Sequence, residues 1–396
     1  DLPSGRVSAV NCEVSLPSIC GSETSPFTAD TLPDGRSELS PLGRQHLAIR
    51  EWAAKHPDRG VMYTPVAFML DFHNGWNMPR HLYRADKYKI WGKFPYEKGD
   101  YAIDNVFRMV WPGYEDASYV RNERGFVTPT PYGDSFDVIT NRCHPEILNQ
   151  YTTLMLLGDV ELTPEMAANL QGFVAKGGDV IVAAGNAKQL PAKFTGLQLG
   201  ASGHALTTAG FRGEVFAEQP YTYTVAKLQS AQPLLINENG EAVLTVNKSG
   251  KGRIIVCLAD QFQSDELTYA DPKLVNMDSP YRLLSGVREV LDEYFASFAP
   301  VNAVTAQRID EGPARTSKSV SFRSELNVRV NCYENDPKRL LVTLTNNELF
   351  ADWQGSVYLR QGKVKSVRDL RTGKALTGLD VTVPAGDVLV LDVRLK

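Results

Sequence analysis

Between Asp71 and Asp134 the chain is dense in rings: Phe72, His73, Trp76, Tyr83, Tyr88, Trp91, Phe94, Tyr96, Tyr101, Trp111, Tyr114, Tyr119 and Tyr132. They sit among glycines and polar residues rather than at a steady core period. Flat aromatic faces stack on the C–H surface of sugars while neighbouring polar groups meet hydroxyls, so this pattern fits carbohydrate binding. Residues 76 to 98 carry Arg80, Arg84, Lys87, Lys89, Lys93 and Lys98 against Asp86 and Glu97, a local +4 in a chain of net charge -4. An arginine fork there would suit the sulfate or carboxylate groups of an anionic polysaccharide. Further on, the prolines of Thr128-Pro129-Thr130-Pro131-Tyr132-Gly133-Asp134 stiffen the backbone and Gly133 permits a tight turn, which would hold Tyr132 and Asp134 at a sheet edge. The candidate substrate-binding set is therefore Trp76, Arg80, Arg84, Tyr88, Trp91, Trp111, Tyr114, Arg124, Tyr132 and Asp134. Three plainer roles stay open: rings that pin a long loop to the sheet, a solvated basic face, and Asp134 as a turn cap.

Other chemistry is sparse. Of five cysteines, Cys12 and Cys20 lie eight residues apart in a Pro/Ser/Gly-rich stretch and could close a disulfide or remain two thiols. Cys143, Cys257 and Cys332 stand singly in apolar or strand-like contexts and read as buried thiols. No Cys or His spacing resembles a zinc site, so neither metal nor organic cofactor is expected. The acidic balance gives no reason to expect nucleic acid, and no apolar run approaches the ~20 residues that span a bilayer. The chain begins with Asp and shows no basic-then-apolar leader, which reads as a processed or internal segment of something longer. A disulfide in the first segment would fit a secreted or periplasmic setting.

The elements that must position these residues are clearest from Tyr151 to Ala184. An apolar strand ends at Leu157, Thr163-Pro164-Glu165 starts a helix with a hydroxyl cap, a first-turn proline and an acid, and Gly177-Gly178 stops it. Met166, Leu170, Phe173 and Val174 share one helical face. Val180-Ile181-Val182-Ala183-Ala184 then runs without alternation, as a strand covered on both faces does in a parallel sheet. Upstream, a helix follows Ser40-Pro41-Leu42-Gly43 and stops at His56-Pro57-Asp58-Arg59-Gly60, and Val61 to Leu70 reads as one strand. Helices are expected near Tyr101–Val110, Pro145–Gln150 and Pro280–Phe298. Residues 196 to 246 read as a small β excursion, followed by Lys248-Ser249-Gly250-Lys251-Gly252-Arg253 and the strand Ile254 to Leu258. After Pro300, short alternating strands at Val320–Phe322, Leu326–Tyr333, Leu340–Asn346, Gly355–Leu359, Val364–Leu370 and Val388–Leu395 predict a β-sandwich.

The order of these motifs resembles the C-terminal half of family 42 type β-galactosidases, over about residues 40 to 396. The resemblance implies an α/β class: a flavodoxin/glutamine-amidotransferase-like parallel sheet, the trimerisation domain of that family, with a C-terminal all-β sandwich. Residues 1–58 would be a barrel tail and linker helix, 59–303 the α/β domain with the aromatic insertion 71–134, and 304–396 the sandwich. The family's catalytic carboxylates sit on barrel strands this chain lacks, and retaining hydrolysis needs two carboxyls about 5 Å apart. Glu13 is the one acid at the end of a candidate barrel strand. Amidotransferase chemistry is not expected, because Gly185-Asn186-Ala187 puts no thiol at the strand-to-helix elbow and neither His144 nor His204 has a cysteine beside it. The expected role is the non-catalytic half of a secreted carbohydrate-active enzyme, with a catalytic barrel chain or segment, a homo-oligomer (trimer or dimer) and an oligo- or polysaccharide, including an anionic one, as partners. Alternatives are a free-standing glycan-binding or assembly module, or part of a polysaccharide lyase on a similar barrel.

Overall fold

The computed structural model of the chain describes residues 28–31, 37–39, 41–73, 98–111, 130, 132–264, 283–304, 326–348 and 351–396. A two-stranded ribbon, β1 (Thr28–Thr31) with β2 (Ser37–Leu39), precedes α1 (Pro41–Lys55). Then come β3 (Val61–Met62), β4 (Val66–Leu70), α2 (Lys98–Val110), β5 (Phe136–Thr140), α3 (Pro145–Leu148), β6 (Thr153–Leu156), α4 (Pro164–Lys176) and β7 (Asp179–Ala183). Two one-turn helices, α5 (Ala184–Ala187) and α6 (Ala192–Thr195), lead to β8 (Leu197–Ser202), β9 (Leu206–Phe211), β10 (Glu214–Tyr221), β11 (Thr224–Leu228), β12 (Gln232–Ile236), β13 (Ala242–Ser249) and β14 (Gly252–Cys257). After α7 (Ser285–Ala296) the chain forms β15 (Val301–Val304), β16 (Asn327–Tyr333), β17 (Asp336–Thr345), β18 (Trp353–Leu359), β19 (Val364–Asp369), β20 (Ala375–Leu376), β21 (Asp380–Val383) and β22 (Val388–Leu395).

The strand–helix–strand unit forms as its sequence signals dictate. Thr163 Oγ1 accepts from the Met166 amide at 3.1 Å, Pro164 opens α4, and Gly177 ends it at φ 123°. Strands β6 and β7 pair in parallel. They lie inside a nine-stranded mixed sheet of order β10-β9-β12-β13-β14-β7-β6-β4-β5. The last five strands of that order run parallel, and the first four are antiparallel.

The excursion expected over residues 196 to 246 is thus not a separate body. Four of its six strands extend the main sheet, because β13 returns into β14 through Gly250-Lys251, with Ser249 opposite Gly252; only β8 and β11 pair apart. Alternate residues of the central strands face two cores. Val66, Phe68 and Leu70 of β4 join Ile181 and Ala183 of β7 on the side covered by α2 and α7. Ala67 and Met69 join Val180 and Val182 on the side covered by α4. Helices on both faces are what an unalternating apolar strand requires.

The expected strand Val61 to Leu70 divides. Pro65 lacks an amide hydrogen and so cannot donate to a ladder; its carbonyl instead accepts from Thr152 and Thr153, at 2.8 and 3.1 Å. Upstream of that break, β3 pairs antiparallel with β16 in the C-terminal part. There a six-stranded sheet, β20-β19-β22-β17-β16-β3, accompanies a three-stranded sheet, β15-β18-β21, around Val328, Val330, Val342, Leu344, Trp353, Val357, Leu391 and Val393. The expected strand Val320–Phe322 lies outside the described residues. Gly133 marks a tight join of the two parts. It sits at φ 57°, and a Cβ on it would come within 2.3 Å of the Val328 carbonyl. Its neighbour Asp134 accepts from Arg329 at 2.8 Å.

Candidate functional site

The five parallel strands finish along one edge of the sheet, where open α/β folds leave a crevice for ligands. The loop after β6, Gly158 to Leu162, is fixed there from both sides. From one side, Asn186 on α5 accepts from the Val160 amide at 3.1 Å and donates to the Gly158 carbonyl at 3.0 Å. Gln189 accepts from Leu162 and donates to the Val160 carbonyl, both at 2.9 Å. From the other side, buried Asp71 at the end of β4 accepts from the Glu161 amide at 3.0 Å and from Asn141 at 2.8 Å. Asp159 is held on this rigid loop with its residue surface exposed.

Facing it is the turn after β14. Gln261 (φ 50°) and Phe262 (φ 64°) both adopt the left-handed conformation, which costs side-chain-bearing residues free energy and persists only where the surroundings impose it. Gln261, 3% exposed, donates from Nε2 to Asp159 Oδ1, while its Oε1 has no hydrogen-bond partner among the described residues. Gln263, fully buried, leaves both amide atoms without a partner among them. Lys98, at the start of α2, lies 3.8 Å from Asp260. Gly99 backs Asp159 so closely that a Cβ would lie 2.9 Å from Oδ2. At Gly185, by contrast, a Cβ would meet Gln261 Nε2 at 3.8 Å and Asp159 Oδ1 at 4.0 Å, which is ordinary contact.

An unpaired buried amide loses its hydration without recompense. Gln263→Leu, which removes the polar atoms at similar volume, is therefore expected to stabilise the chain by about 1–3 kcal/mol. Urea unfolding of the two proteins side by side checks this.

Three of the sequence candidates fall among the described residues, and the structure turns two of them inward. Tyr132 is 3% exposed, packed edge-on to Phe136 and Phe295, with its hydroxyl 2.9 Å from Asp292 Oδ1 and 3.1 Å from the Met109 carbonyl. A ring enclosed in this way has no face for a sugar, so its role here is packing. Trp111, half-buried, sits edge-on to Phe68, Phe107 and Phe136 and extends the same aromatic cluster. Asp134 is engaged by Arg329, because the Gly133 turn lays it against β16. Trp76, Arg80, Arg84, Tyr88, Trp91, Tyr114, Arg124, Glu13, Cys12 and Cys20 lie outside the described residues. Asp159, Gln261 and Gln263 were not singled out by sequence; the one signal was an acid two residues past an apolar strand.

The elbow after β7 enters α5 directly through Ala184 and Gly185. His144 caps α3, and His204 stands edge-on to Tyr223 at 5.8 Å. The nearby thiol is Cys257, fully buried at the end of β14, where desolvation pushes its pKa up to about 12. A thiolate is the reactive form, so Cys257 is expected to resist alkylation by iodoacetamide at pH 8 until the chain is unfolded. Mass spectrometry of the labelled cysteines in native and denatured protein reads this directly.

No protein-family model matches the chain, and no curated protein matches it by sequence. Solved structures do. A β-galactosidase from Bacillus circulans sp. alkalophilus is 14% identical and superposes with a TM-score of 0.52, covering 92% of this chain and 46% of that one. The α-L-fucosidase isoenzyme 2 from Paenibacillus thiaminolyticus is 13% identical with a TM-score of 0.51, covering 89% of this chain and 52% of that one. The family 42 β-galactosidase Gan42B is 15% identical with a TM-score of 0.44, covering 84% and 40%. The chain shares its fold with part of the Bacillus circulans β-galactosidase and of the fucosidase, and spans about half the length of each.

Proposed function

We propose that this chain is the non-catalytic part of a carbohydrate-active enzyme of β-galactosidase-like architecture, supporting oligomerisation and lining a glycan cleft, with the catalytic carboxylates supplied by a barrel elsewhere. The observation that carries it is the shared fold: two glycoside hydrolases of different specificity cover about nine-tenths of the chain while the chain spans only about half of each. Within the α/β part, the strand order β5-β4-β6-β7-β14 reads 2-1-3-4-5 in chain order, which supports the flavodoxin- and amidotransferase-like reading. Assembly is supported by the two edges of the main sheet, where Val138 on β5 is 47% and Val215 on β10 is 73% exposed. A secreted or periplasmic setting goes with this role.

Light scattering on the material as isolated from its source tests the reading. A complex containing a second polypeptide of barrel size, or a closed oligomer, is the expected result; a monodisperse monomer that binds no glycan would overturn it. The aromatic insertion is tested by affinity electrophoresis in polysaccharide gels. Trp76→Ala and Trp91→Ala are each expected to weaken binding roughly tenfold, equivalent to about 1.4 kcal/mol. Unchanged mobility in both would remove that surface.

A further inference from the structure

We infer that Arg142, His73 and Phe72 form a surface site for an oxyanion, a sulfate or a carboxylate; that a sugar carries this group rests on the carbohydrate reading above. The three residues stand just past the carboxyl ends of two neighbouring parallel strands. Phe72 and His73 follow β4, and Arg142 follows β5, with Leu70 of one strand opposite Thr140 of the other. Open α/β sheets take their ligands outside such strand ends.

The guanidinium is set in place by both neighbours. Its Cζ lies 4.3 Å from the centroid of the Phe72 ring, and Nη2 donates to His73 Nε2 at 2.8 Å. Arginine offers five N–H donors and no acceptor, so the imidazole nitrogen takes the accepting role. The His73 ring in turn stands edge-on to Phe72, with centroids 5.3 Å apart. The backbone that carries the two rings is tied across to the loop after β5. The Phe72 amide donates to Asn141 Oδ1 and the His73 amide to Asp71 Oδ1, both at 2.9 Å. Asn141 Nδ2 donates to Asp71 Oδ2 at 2.8 Å. Buried Asp71 is thus committed to the frame, where it also accepts from the Glu161 amide. A fork held in this way loses little freedom on meeting a ligand.

What Arg142 lacks is a carboxylate. Among the described residues four arginines stack on aromatic rings, and the other three each hold an acid of the chain. Arg212 over Phe211 pairs with Glu293, Arg253 over Tyr294 with Asp179, and Arg339 over Tyr333 with Asp392. Arg142 repeats the stack with His73 as its one partner among the described residues, which leaves most of its donors to solvent or a ligand. All three residues of the site are exposed, Phe72 by 53%.

The chemistry selects the ligand class. A planar guanidinium matches the paired oxygens of a carboxylate or sulfate, in bonds strengthened by the charge. A cation would be repelled, and a neutral hydroxyl would forgo the charge. The exposed part of Phe72 beside the fork offers an apolar contact to the C–H surface of a sugar that bears the anion.

Titration calorimetry of the whole chain with inorganic sulfate, sulfated galactose, galacturonate and neutral galactose tests this. At least one charged sugar is expected to bind roughly tenfold or more tighter than galactose. Arg142→Gln and Arg142→Lys should each abolish that advantage with an unchanged urea midpoint. Lysine keeps the charge and loses the stacked fork, so undiminished binding in Arg142→Lys would reduce the site to diffuse surface charge and overturn it. Arg212→Gln removes a stacked arginine already paired with Glu293, and should leave binding as it is in the parent. Arg142-dependent binding of inorganic sulfate without binding of either charged sugar would uphold the anion site and overturn the sugar as its carrier. If none of the anions binds the parent, or all bind Arg142→Gln equally well, the site is overturned. The carbohydrate reading would then still stand or fall on the polysaccharide gels, whose readout runs through Trp76 and Trp91.

Discussion

Gly252→Ala is expected to destabilise the chain by about 3 kcal/mol or more, at the upper end of what overpacking costs. A Cβ at this position would lie 2.0 Å from the Gly178 carbonyl oxygen, 2.7 Å from that of Val174 and 2.9 Å from the Gly177 carbonyl carbon. All three are backbone atoms, so no side chain can rotate away. The contact is where the end of α4 rests on the turn between β13 and β14: Lys251 donates to the Ala175 carbonyl at 3.2 Å and Arg253 to the Gly178 carbonyl at 3.3 Å. Relief of the clash would have to part the helix from the sheet. Gly172→Ala is the matched control. It lies inside the same helix with nothing within 4 Å of a Cβ, and should stabilise by about 0.5–1 kcal/mol. Urea midpoints of the two variants moving in the same direction would refute the packing argument.

The same contact shows what sequence could and could not convey. Gly177-Gly178 is legible as a helix stop and Gly250-Lys251-Gly252 as a turn, each from local rules. That they are one structural feature, helix end against hairpin, depends on a separation of over seventy residues that no local signal encodes. The unit from Thr153 to Ala183 was legible because cap, apolar face and stop all lie within it. The division of Val61 to Leu70 was not, because a two-residue strand beside a proline gains its partner only from β16.

For the site the limit is sharper. Tyr132 looks like a loop aromatic by its neighbours, yet its hydroxyl partner, Asp292, is 160 residues away. Gln261 and Phe262 occupy positions where glycine or asparagine would have announced the turn, so their sequence hides it. Asp159 is one acid among many until Asn186, Gln189 and Asp71 are seen to fix its loop.

Phe68→Ala should remove about 3–5 kcal/mol, the range for deleting a buried phenylalanine, against the 5–15 kcal/mol that typically holds a domain together. Phe68 is fully buried at the middle of β4, stacked on Phe136 at 5.1 Å and meeting Trp111 and Phe295 edge-on at 6.1 and 6.2 Å. Those partners come from β5, the end of α2 and α7, so one ring joins the elements of an entire face of the sheet. The surrounding rings are themselves braced, Phe136 against Trp111 and Phe295, and Tyr132 against both phenylalanines, which limits collapse into the space left behind. A dry, aromatic-lined cavity of this kind should accept benzene, whose binding to the folded state alone would raise the unfolding midpoint of the variant and not of the parent. Urea unfolding with and without benzene measures both effects. A loss under 1 kcal/mol, or equal shifts in the two proteins, would mean that the cluster repacks and does not set the position of β4. Strand β4 ends at Leu70, and Asp71, the next residue, fixes the loop bearing Asp159. The aromatic core and that loop therefore depend on one strand, and benzene should restore the stability of the variant without changing the parent.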